Sequence, residues 1–133
     1  MTAGERPRIL IVEDNERNLE LVRDLLHLGG YETLEARNAD DGISLAVEHL
    51  PDLILMDIGL PGSDGVAALQ QLRANDRTTA ISVVALTAYA MADDRQRLLN
   101  AGFDAYIEKP IDVKSFRKQV HELLRSHHPG APV

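Results

Sequence analysis

Two short, continuous apolar runs that each end in acidic residues constrain the fold of this chain most strongly. Ile9–Val12 is followed by Glu13 and Asp14, and Leu53–Met56 is followed by Asp57. Continuous runs of Ile, Leu and Val are typical of strands buried on both faces of a parallel sheet. Such sheets form their sites beyond the carboxyl ends of the strands, so the three carboxylates are expected to converge if the strands are neighbours. Because close carboxylates repel one another, the cluster indicates a hard divalent cation such as Mg²⁺.

Strand and helix patterns alternate along the rest of the sequence. The predicted elements are, in chain order, a strand Ile9–Val12, a helix Asn15–Leu28, a strand Tyr31–Ala36, a helix capped by Asn38 and ended by Pro51, a strand Asp52–Asp57, a helix holding Val66, Leu69 and Leu72, a strand Ser82–Leu86, a helix Met91–Asn100, a strand Ala105–Glu108 and a helix from Val113 to Leu124. This alternation predicts a doubly wound five-stranded parallel α/β sheet with five helices, flavodoxin-like, in the order 2-1-3-4-5. Strands one and three are then neighbours, as the acidic cluster requires.

Composition and charge limit the class of protein. The chain has 133 residues and a net charge of −7, from 14 Lys+Arg and 21 Asp+Glu, which argues against a nucleic-acid surface. Without cysteine there is no disulfide or thiolate site, and no apolar stretch approaches the ~20 residues of a membrane span. With no signal-peptide pattern, a cytoplasmic protein is the default expectation. We expect a flexible arm over 1–7, one domain over 8–126 and a disordered tail over 127–133.

Asp57 is the candidate nucleophile of this predicted site. A carboxylate can attack phosphorus and hold the group as an aspartyl phosphate. Glu13 and Asp14 would hold the metal, which neutralises charge on the phosphoryl oxygens and orients the transfer. The alternative is a surface or helix-capping role for all three acids.

Four further groups at strand ends complete the expected site. The Thr87 hydroxyl, after strand four, can donate to a phosphoryl oxygen, and Lys109, after strand five, can pair with another as a point charge. The backbone N–H groups of Ile58 and Ala88 would complete the cradle. By itself, Thr87 would be interpreted as an ordinary strand-end residue and Lys109 as a solvated cation. Their assignment to the site depends on all these groups lying at the carboxyl ends of strands.

Four motifs resemble the receiver domains of bacterial two-component response regulators. They are Val12-Glu13-Asp14-Asn15, Leu55-Met56-Asp57-Ile58-Gly59-Leu60-Pro61, Leu86-Thr87-Ala88 and Lys109-Pro110. The resemblance covers about residues 8–126 and implies a CheY-like fold. It implies transfer of a phosphoryl group from a histidine kinase or histidine phosphotransfer protein to Asp57, with Mg²⁺ required. Such a protein promotes only its own phosphorylation and dephosphorylation and is otherwise not an enzyme.

The resemblance also implies a ligand set and a switch. Asp14, Asp57 and the backbone carbonyl of Gly59 would hold the metal, with Glu13 reaching it through water. The Lys109-Pro110 peptide bond would be cis.

On phosphorylation, Thr87 would move toward the phosphoryl group and Tyr106 would turn inward. The face formed by the fourth helix, fifth strand and fifth helix would repack for a downstream protein partner. Tyr106 is the weakest of these assignments, because a tyrosine in a short strand is often ordinary packing.

Local details resemble single-domain regulators of the DivK type and the receivers of hybrid kinases. They are Asn15, Asn18 and the segment Thr87-Ala88-Tyr89-Ala90-Met91. A receiver excised from a hybrid histidine kinase and a phosphorylation-independent pseudo-receiver stay open as alternatives. An aspartyl phosphatase of the haloacid dehalogenase type is disfavoured, because it needs a second acid where this chain has Gly59. We expect a monomer or weak dimer with no nucleic-acid or membrane partner.

Several glycines and one tyrosine carry further expectations. Gly59 and Tyr89 are expected to tune dephosphorylation, since neither offers an amide or carboxylate to activate water. Gly42, Gly65 and Gly102 are expected in turns or at helix ends.

Overall fold

Strands and helices alternate along the whole described chain. The structure is a computed structural model that describes residues 6–58, 65–88 and 92–126. Within these residues the elements are β1 (Arg8–Val12), α1 (Glu16–Leu28), β2 (Glu32–Ala36), α2 (Ala39–His49), β3 (Leu53–Asp57), α3 (Gly65–Ala74), β4 (Ser82–Thr87), α4 (Ala92–Ala101), β5 (Ala105–Glu108) and α5 (Val113–Ser126). The expected tail, 127–133, and most of the expected arm, 1–7, lie outside the described residues.

The strands form one parallel sheet in the order β2-β1-β3-β4-β5, which confirms the predicted fold class. Val12 pairs with Met56, so the residues after β1 lie beside the end of β3. Asp57 pairs with Leu86, and Thr87 with Glu108, so the ends of β3, β4 and β5 follow in sequence across the sheet. The register therefore brings four strand ends to one edge.

Both faces of the sheet are covered, which explains why the central strands read as unbroken apolar runs. Alternate residues of β1 face opposite sides: Leu10 and Val12 join one buried cluster, and Ile9 and Ile11 join the other. The first cluster includes Leu69 of α3, and the helices α1 and α5 pack on the second. No helix among the described residues is long and apolar enough to cross a membrane.

Two strands begin one residue later than expected because hydrogen bonds end the preceding segments. The Tyr31 N–H donates to the Leu26 carbonyl at 3.0 Å, which closes α1, so β2 begins at Glu32. The Asp52 carboxylate accepts the Arg8 N–H at 2.8 Å, and β3 begins after it.

Gly42 is not at a turn or helix end, so that expectation is wrong. It lies inside α2 and is buried, and a Cβ there would meet Val12 Cγ2 at 2.8 Å. The glycine is needed because α2 crosses β1 closely. Gly65 begins α3 and Gly102, with φ of +114°, follows α4, as expected.

We therefore expect Gly42→Ala to destabilise the fold. Overpacking against the stiff Val12 costs about 1–3 kcal/mol, and the better helix propensity of alanine returns about 1 kcal/mol. The midpoint of urea unfolding should fall by the equivalent of about 1 kcal/mol, whereas Ser44→Ala on the exposed face of α2 should change it little. Equal or greater stability of Gly42→Ala would contradict the close packing.

Candidate functional site

The carboxylates that the sequence placed at strand ends meet in the folded chain. Glu13 and Asp14 follow β1, and Asp57 ends β3. Each of the three offers a carboxylate oxygen, and these oxygens all lie within 4.8 Å of one another. Glu13 and Asp57 are buried, while Asp14 is exposed. The site is therefore a buried acidic pair with one carboxylate open to solvent.

Lys109 lies between the two buried acids. Its Nζ is 3.0 Å from Asp57 Oδ2 and 3.2 Å from Glu13 Oε2. The backbone fixes this position, because the Lys109 N–H donates to the Thr87 carbonyl at 2.8 Å. The Lys109-Pro110 peptide bond is cis. Burial lowers the pKa of the ammonium, but the hydrogen bond and charge of Asp57, together with Glu13, outweigh it and raise the pKa. Lys109 therefore stays charged.

Glu13 is held by hydrogen bonds on one carboxylate oxygen and by an ion pair on the other. Its Oε1 accepts the Asn15 N–H at 3.3 Å and the Asn18 side-chain amide at 3.5 Å. Its Oε2 is paired with the Lys109 ammonium at 3.2 Å and accepts no other hydrogen bond within the described residues. Burial and then the charge of Asp57 raise the pKa of Glu13, and Lys109 offsets part of this. A carboxylate oxygen has two lone pairs, so Oε2 has capacity for one further partner.

The site fits a divalent cation. Three carboxylates against one ammonium leave two negative charges, which a divalent ion would balance. Glu13 Oε2 keeps capacity for one further partner beside Lys109, and Asp14 is exposed to solvent. An all-oxygen donor set with room for water suits Mg²⁺. The expected fourth ligand, the Gly59 carbonyl, lies outside the described residues.

The other groups expected to contact the phosphoryl group, Thr87, Ala88 and Ile58, differ in whether they are available to do so. Thr87 is buried at the end of β4, one residue beyond the Asp57–Leu86 pair, and Ala88 beyond it is exposed. The Ile58 N–H donates to the Leu86 carbonyl at 3.3 Å. In this structure that N–H belongs to the sheet ladder, so the role predicted for Ile58 would require breaking a hydrogen bond.

Tyr106 lies half-buried in β5, beneath a contact that sequence reasoning missed. The Arg95 guanidinium lies 5.4 Å from the centre of its ring, and Arg95 Nη2 is 2.8 Å from Glu108 Oε1. Arg95 therefore links α4 to β5 across the ring. The charged sequence of α4 gave no signal for this contact, which depends on two separate elements. Tyr89 lies outside the described residues.

The contacts of Asn15 and Asn18 with Glu13 were also not predicted from the sequence. The sequence marked them only as features of a subgroup, yet both donate to Glu13. Asn15 also caps α1 by accepting the Asn18 N–H at 3.0 Å. The sequence did contain a signal for this arrangement: an asparagine at the start of a helix, followed by another asparagine three residues later.

We expect Glu13→Gln to raise the midpoint of thermal unfolding of the metal-free protein at neutral pH. The raised pKa means that the folded chain holds this proton more tightly than the unfolded chain, so stability is lost as pH rises from 4.5 through the raised value. Below 4.5 the variant and the wild type should be equally stable. Mg²⁺ should stabilise the wild type more than the variant. Melting curves from about pH 4 to about pH 8 measure both effects, and lower stability of the variant throughout would contradict the assignment.

Comparison with known sequences agrees with this geometry. The family model described as the response regulator receiver domain matches residues 9–121. The polar-differentiation response regulator DivK of Brucella anthropi is 46% identical over 116 residues, which cover 87% of this chain and 94% of the relative. DivK of Brucella ovis is 44% identical over the same shares.

Solved structures give the same result. A CheY-like response regulator receiver domain from Methanospirillum hungatei is 30% identical with a TM-score of 0.83, covering 92% of this chain and 97% of that one. The receiver domain of the sensor histidine kinase PA1611 from Pseudomonas aeruginosa, solved with a magnesium ion in its active-site cleft, is 31% identical with a TM-score of 0.79 over the same shares. Similarity of this extent means that the chain belongs to the response regulator receiver domains of two-component signalling and is DivK-like.

Proposed function

We propose that Asp57 accepts a phosphoryl group from the phosphohistidine of a histidine kinase or phosphotransfer protein, with Mg²⁺ bound by Glu13, Asp14 and Asp57. The observation that carries the proposal is the buried Asp57 carboxylate, 3.0 Å from Lys109 and grouped with two further carboxylates. The magnesium ion described for the Pseudomonas receiver supports the choice of metal. The proposal includes a cytoplasmic location, as expected from the sequence.

In the proposed transfer, an Asp57 oxygen forms a bond to phosphorus as the bond from phosphorus to the histidine nitrogen breaks. The imidazole leaves with the electron pair of that bond, so no proton is taken from Asp57. Glu13, Asp14 and Asp57 would hold Mg²⁺, which would neutralise charge on the phosphoryl oxygens. Lys109 turns from the Asp57 carboxylate to a phosphoryl oxygen, and the Thr87 hydroxyl donates to another.

The output of the proposed switch is the surface formed by α4, β5 and α5, here named the α4–β5–α5 face. Movement of Thr87 toward the phosphoryl group would free space for the Tyr106 ring. For the ring to turn inward, it must leave the guanidinium of Arg95, 5.4 Å away. Arg95 would then change its position above Glu108, and a downstream protein would read the altered surface.

Incubation with acetyl phosphate and Mg²⁺ tests this function against its alternatives. A receiver should form a phosphorylated adduct with little turnover of the donor. An aspartyl phosphatase should release phosphate continuously, and a pseudo-receiver should do neither. Chelation of Mg²⁺ should abolish the adduct; continuous phosphate release, or no adduct at all, would overturn the proposal.

We also predict slow loss of the phosphoryl group. Hydrolysis needs a water in line with the phosphorus–oxygen bond, and neither Gly59 nor Tyr89 has a side chain that activates one. Gly59→Asn and Tyr89→Glu should therefore shorten the lifetime of the labelled protein in Mg²⁺ buffer. Unchanged decay in both variants would contradict this prediction, and Tyr89 would then be assigned to partner binding.

A further inference from the structure

A groove between the end of α1 and the exposed side of α5 carries concentrated positive charge on this acidic chain. The groove has a volume of about 500 Å³, and its basic residues are Lys114, Arg117, Lys118 and His121. Its floor is apolar or aromatic: Gly29, Tyr31 and Val113, whose side chain is 51% exposed. Tyr31 precedes β2, at the end of the sheet opposite Asp57. The groove therefore takes no part in the site described above.

The four basic residues form no ion pair with another described residue. Five arginines elsewhere in the described chain do have carboxylate partners on other elements. Those pairs are Arg8–Glu32, Arg23–Glu35, Arg37–Glu16, Arg73–Asp104 and Arg95–Glu108. The chain carries a net charge of −7, so a groove lined by the three cations Lys114, Arg117 and Lys118 is opposite in sign to the chain as a whole.

The spacing of these residues lowers the stability of α5. Lys114 and Lys118 are four residues apart on α5, and like charges at this spacing repel by about 0.2–0.5 kcal/mol. The packed face of α5, with Phe116 and Val120, does not require positive charge on the other side of the helix. A stripe that costs folding stability is explained if it binds an anionic partner.

The shape and surroundings of the groove narrow the choice of partner. The Tyr31 ring lies against Gly29. A Cβ at position 29 would be 3.0 Å from the ring, so a larger residue there would displace the ring. Tyr31 also borders a neighbouring depression of about 670 Å³ that contains Arg6 and Arg8. A concave floor with exposed Val113 and a basic wall suits an apolar side chain flanked by carboxylates, whereas a flat lipid surface would not enter it.

We propose that the α1–α5 groove, which shares only α5 with the α4–β5–α5 face, is a docking site for an acidic, amphipathic segment of a partner protein. The segment places a large apolar side chain on Tyr31 and Val113, and its carboxylates pair with the basic stripe. Docking does not require phosphorylation of Asp57, so the inference goes beyond the proposed function.

The test is selection of random displayed peptides against the unphosphorylated full chain. We expect enrichment of Asp and Glu beside large apolar residues, and binding of a selected synthetic peptide should weaken as salt rises. The double variant Lys114→Gln with Arg117→Gln should bind that peptide about tenfold more weakly, whereas Arg17→Gln, the same change outside the groove, should bind it as the wild type does. Amide shifts in NMR should map the peptide to Tyr31 and His121.

Each opposite result overturns the inference. Selected peptides without excess acidic residues, equal binding by the double variant, or amide shifts confined to another face would each contradict it. Lysine-dependent binding to phosphatidylglycerol vesicles in place of peptides would make an anionic membrane the occupant. Self-association lost in the double variant would make a second copy the occupant. Both substituted side chains are exposed, and melting curves should show the variant at least as stable as the wild type.

Discussion

Asp57→Asn should abolish labelling of the protein by acetyl phosphate in Mg²⁺ buffer. The amide keeps the size of the carboxylate but is a poor nucleophile, and the two other acids of the cluster are not placed at the end of β3. Glu13 Oε1 accepts from Asn15 and Asn18 and its Oε2 pairs with Lys109, so we expect that it does not replace Asp57 as acceptor. Incorporation of labelled phosphate, read on denatured protein, measures the effect.

The matched control is Asp76→Asn, which removes an exposed acid in the segment between α3 and β4. It should be labelled as strongly as the wild type. Melting curves should show that Asp57→Asn is folded, since the substitution removes one of two buried negative charges. Labelling that persists in Asp57→Asn would contradict the assignment of Asp57 as the phosphoryl acceptor.

Asp14→Ala should weaken Mg²⁺ binding by about tenfold or more, which is about 1.4 kcal/mol of binding free energy. Asp14 is the exposed member of the cluster, so its carboxylate can both meet the ion from solvent and bind it. Its removal leaves Glu13 and Asp57 with Lys109, a cluster with only one net negative charge.

Titration of Mg²⁺ by tyrosine fluorescence or NMR measures this affinity. Asp24→Ala, an exposed acid on α1, is the control and should titrate as the wild type does. Unchanged affinity in Asp14→Ala would mean that the ligand is wrongly assigned, whatever happens at Asp57.

Strand order and the position of the acidic cluster were predictable because they depend on local signals. Continuous apolar runs marked β1, β3 and β4 as strands buried on both faces, and their polar ends marked one edge of the sheet. The Asn38 cap of α2 was equally local, since its side chain accepts the Asp41 N–H at 2.8 Å.

Other features were not predictable because they depend on how separate elements meet. The close approach of α2 to Val12, which makes Gly42 necessary, is set by the packing of a helix on a strand thirty residues away. Arg95 reaches Tyr106 only once α4 lies beside β5. The Ile58 N–H looked available from the sequence, yet the ladder with β4 uses it.

Addition of beryllofluoride, a phosphoryl mimic, tests most directly whether Asp57 and the α4–β5–α5 face belong to one Mg²⁺-dependent switch. Amide resonances are followed by NMR with Mg²⁺ and, separately, after chelation. We predict shifts at Thr87 and Lys109 together with shifts at Arg95 and Tyr106, only when Mg²⁺ is present and not in Asp57→Asn. Shifts that stay confined to the site, or that appear without Mg²⁺, would contradict this prediction.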